Sequence, residues 1–469
     1  MAQPRPPSLA ISLVPALSLV GLLFVSIFLL GGTGHIPLIV AAAIGALIAS
    51  TVLGQSWAEI QGGLTQSVAH ALPAIFILMA VGLLIGVWIA SGVVPLLIYY
   101  GLKILAPSYF LAASCLACAV ISLATGSSWS TAATAGLALI GVGKALGVSE
   151  AMTAGAVVSG AYFGDKMSPL SDTTNLASAT AGSELFEHIR HMLYTTIPAL
   201  TVAIGGYLAL GWSISSHELG NSEAYSQITT ALETGFDLTP WLLFAPAVVL
   251  GLILMRTPPL PALLAGTLAG VLLLVVFQPQ NAPRGAASVL SALYSGYQSN
   301  TGIPAADELL SRGGLTSMLE TIALIICAFG FGGVMESSGM LDRLTRAVLS
   351  GARSAASLIA ATVLTGVGLN LLTSDQYLAV VLPGRMYKNA YRTLGLHPKN
   401  LSRAIEDSAT LTSPLVPWNT CGAYMASVLG VATLSYAPFA FFNLITPLLS
   451  ILYGVIGFSI VPADESAPE

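Results

Sequence analysis

Apolar stretches long enough to cross a bilayer alternate with short polar blocks along the whole chain. In the first half they fall near 10–30, 36–53, 71–90, 108–124, 128–146, 152–182 and 190–212. In the second half they fall near 238–255, 259–277, 317–338, 355–371, 374–392, 402–434 and 436–461. About 20 apolar residues span the hydrocarbon core as a helix, so the pattern predicts an all-α polytopic membrane protein. An acidic stretch free of lysine and arginine, 213–237, divides the series. The predicted organisation is a first repeat over 1–212 with N-terminal transmembrane helices, an extracytoplasmic linker over 213–237, and a second repeat over 238–469.

The two halves carry the same landmarks in the same order. Gly86-Val-Trp-Ile-Ala-Ser-Gly92 matches Gly333-Val-Met-Glu-Ser-Ser-Gly339, and Ser168-Pro-Leu170 matches Ser413-Pro-Leu415. Between these anchors a Thr/Ser-rich interruption occurs at 125–130 and again at 373–375. Each half should therefore hold a re-entrant helical hairpin followed by a broken transmembrane helix. Basic residues set the orientation. Arg5, Arg190 and Arg256 are taken as cytoplasmic, and the 355–392 pair is flanked by Arg343, Arg346 and Arg353 on one side and Lys399 and Arg403 on the other. The 108–146 pair has only Lys103 and Lys144 beside it, which suits the opposite face. Two inverted-topology repeats with both termini cytoplasmic follow, an arrangement typical of secondary transporters.

Composition narrows the class further. Only 8% of the 469 residues are charged and 55% are hydrophobic, against about 25% charged in soluble domains. No basic block points to nucleic acid. Cys115, Cys118, Cys327 and Cys421 lie in apolar segments, and the lone CxxC lacks the second pair or the histidines of a metal site. No cofactor is expected.

The chemistry concentrates in Gly164-Asp-Lys-Met-Ser-Pro-Leu-Ser-Asp-Thr-Thr-Asn175. Charges at bilayer depth are costly and mark a site or pathway. Pro169 should break the helix near Asp165, freeing carbonyls beside two carboxylates. Asp165, Ser168, Asp172, Thr173, Thr174, Asn175 and the hairpin residue Asp375 are the candidate cation- or proton-binding groups, with Na+ held at Asp172 and neighbouring oxygens. A carboxylate in a poorly hydrated site holds its proton more tightly, so one group can exchange H+ for Na+ near neutral pH. A second set lines the remaining interruptions: Thr125, Ser127 and Ser128 at the first tip, and Asn370, Thr373 and Ser374 at the second. Lys166 belongs to the first broken helix, and Asp407, Thr410, Asn419 and Thr420 to the second. Plainer roles accompany these. Asp172 is also a natural N-cap, Asp375 a tip cap, and Lys166 a partner for Asp165 or Asp172. Glu406 and Asp407 suit interfacial pairing with Arg403, Trp129 and Trp418 suit packing, and Glu336 suits an interface. The histidines lie mainly in loops or near helix ends.

The run Ser159-Gly-Ala-Tyr-Phe-Gly-Asp-Lys-Met-Ser-Pro-Leu-Ser-Asp-Thr-Thr-Asn-Leu-Ala177 closely resembles the signature of the NhaC family of bacterial Na+/H+ antiporters. Ala124-Thr-Gly-Ser-Ser-Trp129 and the block Glu406-Asp-Ser-Ala-Thr-Leu-Thr-Ser-Pro-Leu-Val-Pro-Trp-Asn-Thr420 extend the resemblance. It implies a scaffold domain paired with a transport domain, a homodimer, elevator-like movement and an inner-membrane location. Exchange of cytoplasmic Na+ or Li+ for external H+ is the expected function. The alternative within transport is Na+- or H+-coupled exchange of a small organic solute such as malate or lactate. From another class comes an intramembrane aspartyl protease, weakened because Tyr162-Phe-Gly-Asp165 lacks the Gly-x-Gly-Asp form.

Overall fold

A computed structural model describes residues 5–217 and 222–463. Among them the chain is helical, with one isolated backbone bridge between Leu396 and Pro462. Seven helices are long and apolar enough to cross a membrane, or nine if each of two sharply bent pairs counts as one span. Their outer faces carry exposed apolar side chains such as Leu17, Leu30, Trp212 and Leu268, as lipid-facing helices require.

The element order of the first half recurs in the second. Helices Leu9–Leu23 and His35–Thr51 precede the long helix Trp57–Ala90; Phe244–Leu254 and Pro259–Phe277 precede Leu319–Ser337. Both long helices end at a glycine in the left-handed region, Gly92 (φ 80°) and Gly339 (φ 72°), which starts a shorter helix, Val93–Ile104 or Met340–Ser350. Only a residue without Cβ takes that turn cheaply, so the second glycine of the Gly-x5-Gly match is the turn that ends each long helix.

Next comes a hairpin in each half. Pro107–Thr125 returns through a helix over 128–145, and Ala355–Leu372 returns through Gln376–Thr393. The first tip turns at Gly126 (φ 69°), the second at Ser374 (φ 60°), and Ser127 and Asp375 cap the returning arms. Each broken helix follows. Glu150–Met167 stops at Ser168-Pro169 and resumes as Asp172–Ala181; Pro398–Ile405 widens into a π-helical turn, Glu406–Thr410, stops at Ser413–Leu415 and resumes as Thr420–Leu429. Pro169 and Pro414 supply no amide hydrogen, which is why both interruptions fall on Ser-Pro-Leu.

Small residues make the close packing. A Cβ added at Gly160 would sit 2.0 Å from the Cys115 carbonyl oxygen, and one at Gly164 2.4 Å from the Leu123 amide nitrogen. This Gly-xxx-Gly face seats the first broken helix against the first hairpin. Cys115 and Cys118 are buried in that contact as packing residues.

Two boundaries differ from the hydropathy pattern. The long helix starts at Trp57 rather than near 71, because Ser56 and Glu59 form a reciprocal capping box that starts it before the apolar run. The acidic 213–237 stretch is largely helical among the described residues: the preceding helix continues to His217 and a further helix spans Ser222–Gly235, with Glu233 accepting from Tyr99 Oη at 2.6 Å. Residues 1–4, 218–221 and 464–469, including both termini and part of the linker, lie outside the described residues.

Candidate functional site

All four polar interruptions border one cavity of about 510 Å³. The first tip contributes Thr125, Ser127, Ser128 and Trp129; the first break contributes Asp165, Leu170, Asp172 and Thr173. Asp375, Gln376 and Tyr377 come from the second tip, and Thr420 and Cys421 from the second break. The opposite wall is formed by His70 and Pro73 of the long helix, the 256–259 turn and Phe329.

Three carboxylates face this space, each differently held. Asp165 is buried and its Oδ2 accepts from the Ser128 amide at 3.2 Å and the Ser128 hydroxyl at 2.6 Å, while its Oδ1 has no partner. Asp375 is buried too, and accepts from the amides of Tyr377 and Leu378, both at 3.2 Å. It therefore caps the helix and lines the cavity at once. Asp172 is exposed to the cavity and accepts from Tyr377 Oη at 2.6 Å, a bond between the two halves. Ser171, not Asp172, is the N-cap of the resumed helix; the cap needs the extended residue just before the first turn, and Asp172 is already helical.

The carbonyls freed at the first break are met by protein donors. Thr174 Oγ1 donates to the carbonyls of Asp165 (3.3 Å) and Lys166 (2.9 Å), and Asn175 Nδ2 donates to those of Pro169 (2.9 Å) and Ser171 (2.7 Å). Ser168 Oγ accepts from the Leu170 amide at 3.2 Å. These three side chains build the break, and none of them lines the cavity. In the second half, Asn370 Nδ2 donates to the Ala409 carbonyl at 2.7 Å and Thr412 Oγ1 at 2.9 Å, and Asn419 Nδ2 donates to Asn370 Oδ1 at 3.1 Å. Thr373 donates to the Leu369 carbonyl, and the Thr420 amide donates to the Ser374 carbonyl at 2.9 Å. Buried carbonyls need such partners, and here the hairpin and the broken helix supply them to each other.

A second polar centre lies deeper. Lys166 Nζ meets Asp407 Oδ1 at 2.5 Å, with Thr196 Oγ1 at 2.9 Å from the ammonium and Thr195 Oγ1 at 2.9 Å from the same carboxylate oxygen. Lys166 thus pairs across the halves and not with Asp165 or Asp172. Glu406 and Asp407 are fully buried rather than interfacial, because the π turn sets them against the first broken helix. Arg403 instead donates from Nη1 to Ser459 Oγ at 2.6 Å and to its carbonyl at 3.2 Å. Thr410 is buried with its hydroxyl unpartnered. Glu336 is exposed at its helix end, Trp129 stacks on Tyr424 at 4.0 Å between centroids, and Trp418 donates to the Leu371 carbonyl at 2.8 Å. His188 and His191 are buried in the first turns of their helix.

Sequence reasoning missed His70, Arg256, Gln376 and Tyr377 in the cavity wall. Arg256 offered a signal, being the lone basic residue between Asp237 and Arg284 and taking a left-handed φ of 63° in its turn. Among the described residues no three His, Cys, Asp or Glu side chains converge as a metal cluster.

The description "Na+/H+ antiporter family" matches the chain over residues 160–458. The Na+/H+ antiporter NhaC of Alkalihalophilus pseudofirmus is 39% identical over 442 residues, covering 94% of each chain. That of Bacillus subtilis is 40% identical over 430 residues, covering 92% of this chain and 94% of the relative. The malate-2H+/Na+-lactate antiporter of Bacillus subtilis is 37% identical over 412 residues, covering 88% and 87%.

Proposed function

The chain belongs to the Na+/H+ antiporter family, and from that premise we propose that it exchanges cytoplasmic Na+ or Li+ for external H+ across the inner membrane. One observation carries the reading: both hairpin tips and both helix breaks border a single cavity that holds Asp165, Asp172 and Asp375. Asp165 is the principal ion carrier, because it is buried, keeps one oxygen free, and is fixed by Ser128. A carboxylate so placed takes either a proton or a cation, not both. Asp172, exposed to the cavity and tied to Tyr377, receives the ion first; Thr173 and Thr420 supply hydroxyl oxygens. Residues 1–212 and 238–469 act as the inverted repeats, joined by 213–237 on the external side, and the protein works as a dimer with cytoplasmic termini.

Each carboxylate at the cavity draws its hydrogen bonds from hydroxyls or amides, so no proton is shared between two of them. This supports transport over an aspartyl-protease dyad, whose two acids share one proton. The second transport reading retains one specific support: His70 and Arg256 line the same cavity. A volume of this size admits a small organic acid, and Arg256 is a fitting carboxylate partner.

The test uses purified protein in liposomes containing a pH dye. Under an imposed proton gradient, Na+ or Li+ alone should move protons, and Asp165→Asn should stop it in a folded protein. Movement only when malate and lactate are supplied on opposite sides would replace cation antiport with organic-solute exchange.

A further inference from the structure

Glu406 is the buried acid for which cavity antiport at Asp165 has no use. Its Oε1 accepts from Thr173 Oγ1 at 3.0 Å, and Thr173 itself lines the cavity. Its Oε2 is buried without a close partner, and the Thr410 hydroxyl, one turn along, bears on the same carboxylate. The π-helical turn Glu406–Thr410 is what separates two adjacent acids. Asp407 turns to Lys166 and Thr195, whereas Glu406 turns to the first helix break. Such widened turns recur at functional sites because they rotate a side chain out of regular register.

Charge makes the position informative. The ionisable groups acting on Glu406 are Lys166 and Asp165. Lys166 is committed to Asp407 at 2.5 Å. Arg403, earlier in the same segment, donates to Ser459 and acts on Asp407; His188 is buried beside Lys166 with both ring nitrogens unpartnered. Glu406 and Asp407 therefore both draw on the ammonium of Lys166, which is committed to Asp407, and Asp165 adds a further negative charge toward Glu406. An uncompensated buried carboxylate is too costly to persist, so it takes a proton or a cation.

We propose that Glu406 is a second ion-exchanging carboxylate, reached from the cavity through Thr173, that carries a proton and an alkali cation in turn. On release the proton passes to cavity water, and the cation then sits between Glu406, the Thr173 and Thr410 hydroxyls and residual water. Each cycle consequently moves one more cation, and one more proton in the opposite direction, than Asp165 alone accounts for. The proposal deepens the antiport reading and rests on it.

Equilibrium binding of radioactive Na+ to the purified protein at alkaline pH counts sites without requiring transport. Glu406→Gln should bind one fewer Na+ per chain than the unsubstituted protein and lower the Hill coefficient for Na+ in liposome flux, with the Na+/H+ ratio unchanged because the variant loses one cation and one proton together. An unchanged count with an unchanged Hill coefficient would overturn the proposal, and would identify Glu406 as a permanently protonated structural acid. Thr173→Val should raise half-saturating Na+ for the second site about tenfold, with Thr173→Ser restoring it. If Glu406→Gln does not fold, unaltered Na+ binding in Thr173→Val overturns the proposal instead. Failure of the antiport reading is distinct: the unsubstituted protein would bind Na+ and yet move no protons.

Discussion

Lys166 and Asp407 lie 241 positions apart in the chain and meet at 2.5 Å, with neither side chain exposed. The pair joins the last turn of the first broken helix to the π turn of the second, so it ties the inverted repeats together at the level of their breaks. Removing one partner leaves the other charged and buried. Lys166→Met alone should destabilise the protein by about 3–5 kcal/mol, and Lys166→Met with Asp407→Leu should recover most of that loss. Thermal unfolding in detergent, compared across the single and double variants, measures it; equal loss in both would mean the ion pair is not the stabilising contact.

At the cavity, Ser128 holds Asp165 through a hydroxyl bond of 2.6 Å and an amide bond of 3.2 Å. Ser128→Ala removes only the first. A hydrogen bond to a charged group contributes about 1.5–3 kcal/mol, so half-saturating Na+ should change roughly 10- to 100-fold with little change in unfolding temperature. Dye-monitored flux over a Na+ series reads the shift.

The second tip turns at Ser374 with φ 60°, where the first tip uses Gly126. Left-handed backbone costs a residue with Cβ about 1–2 kcal/mol. Ser374→Gly should raise the unfolding temperature slightly, and Ser374→Val should lower it, since a β-branched residue resists that φ most. The same two variants compared in flux assays report whether the turn itself is needed for transport.

Helix contact in the first half depends on Gly160. With the Cys115 carbonyl oxygen 2.0 Å from the site of a Cβ, Gly160→Ala forces two backbones apart and should cost about 1–3 kcal/mol or more. Gly62, in the long helix, has no atom within 4 Å of that position. Gly62→Ala should therefore be neutral or stabilising, by up to about 1 kcal/mol from helix propensity. Unfolding temperatures of the two variants separate close packing from propensity.

Outside the membrane, Asp307 organises the 299–307 loop, accepting from the Thr301 amide at 2.7 Å and from the hydroxyls of Ser299 and Thr301 at 2.8 Å. The Thr301 amide bond, followed by the hydroxyl bonds, holds this carboxyl below the usual Asp range. A depressed folded value means that the ionised group stabilises the loop at neutral pH. That contribution declines as pH falls below the ordinary Asp value and is lost through the folded one. Limited proteolysis should show the loop protected at neutral pH and cut faster in strong acid, whereas Asp307→Asn should be cut readily at every pH.

Much of the local architecture was legible in the chain. Pro169 and Pro414 mark the two helix breaks, Gly92 and Gly339 take at least cost the left-handed turns that end the two long helices, and Ser127 and Asp375 cap the returning arms of the hairpins. Hydropathy was a poorer guide at 57–70, where a capping box extends the helix ahead of its apolar stretch. It was silent about Arg256, whose charge also suits a plain interfacial marker, yet which borders the cavity.

By itself, then, the sequence determined the helices, their interruptions, the repeat and the set of oxygens and carboxylates available for ions, because each depends on neighbours within a turn or two. Tertiary structure alone decided which donor each carboxylate meets: Lys166 for Asp407, Tyr377 for Asp172, Thr173 for Glu406. Those partners lie more than 200 positions apart, and burial withholds water as an alternative from Lys166, Asp407, Glu406 and Thr173. Their choice is made only when the two halves pack and every buried polar group must find a partner or an ion.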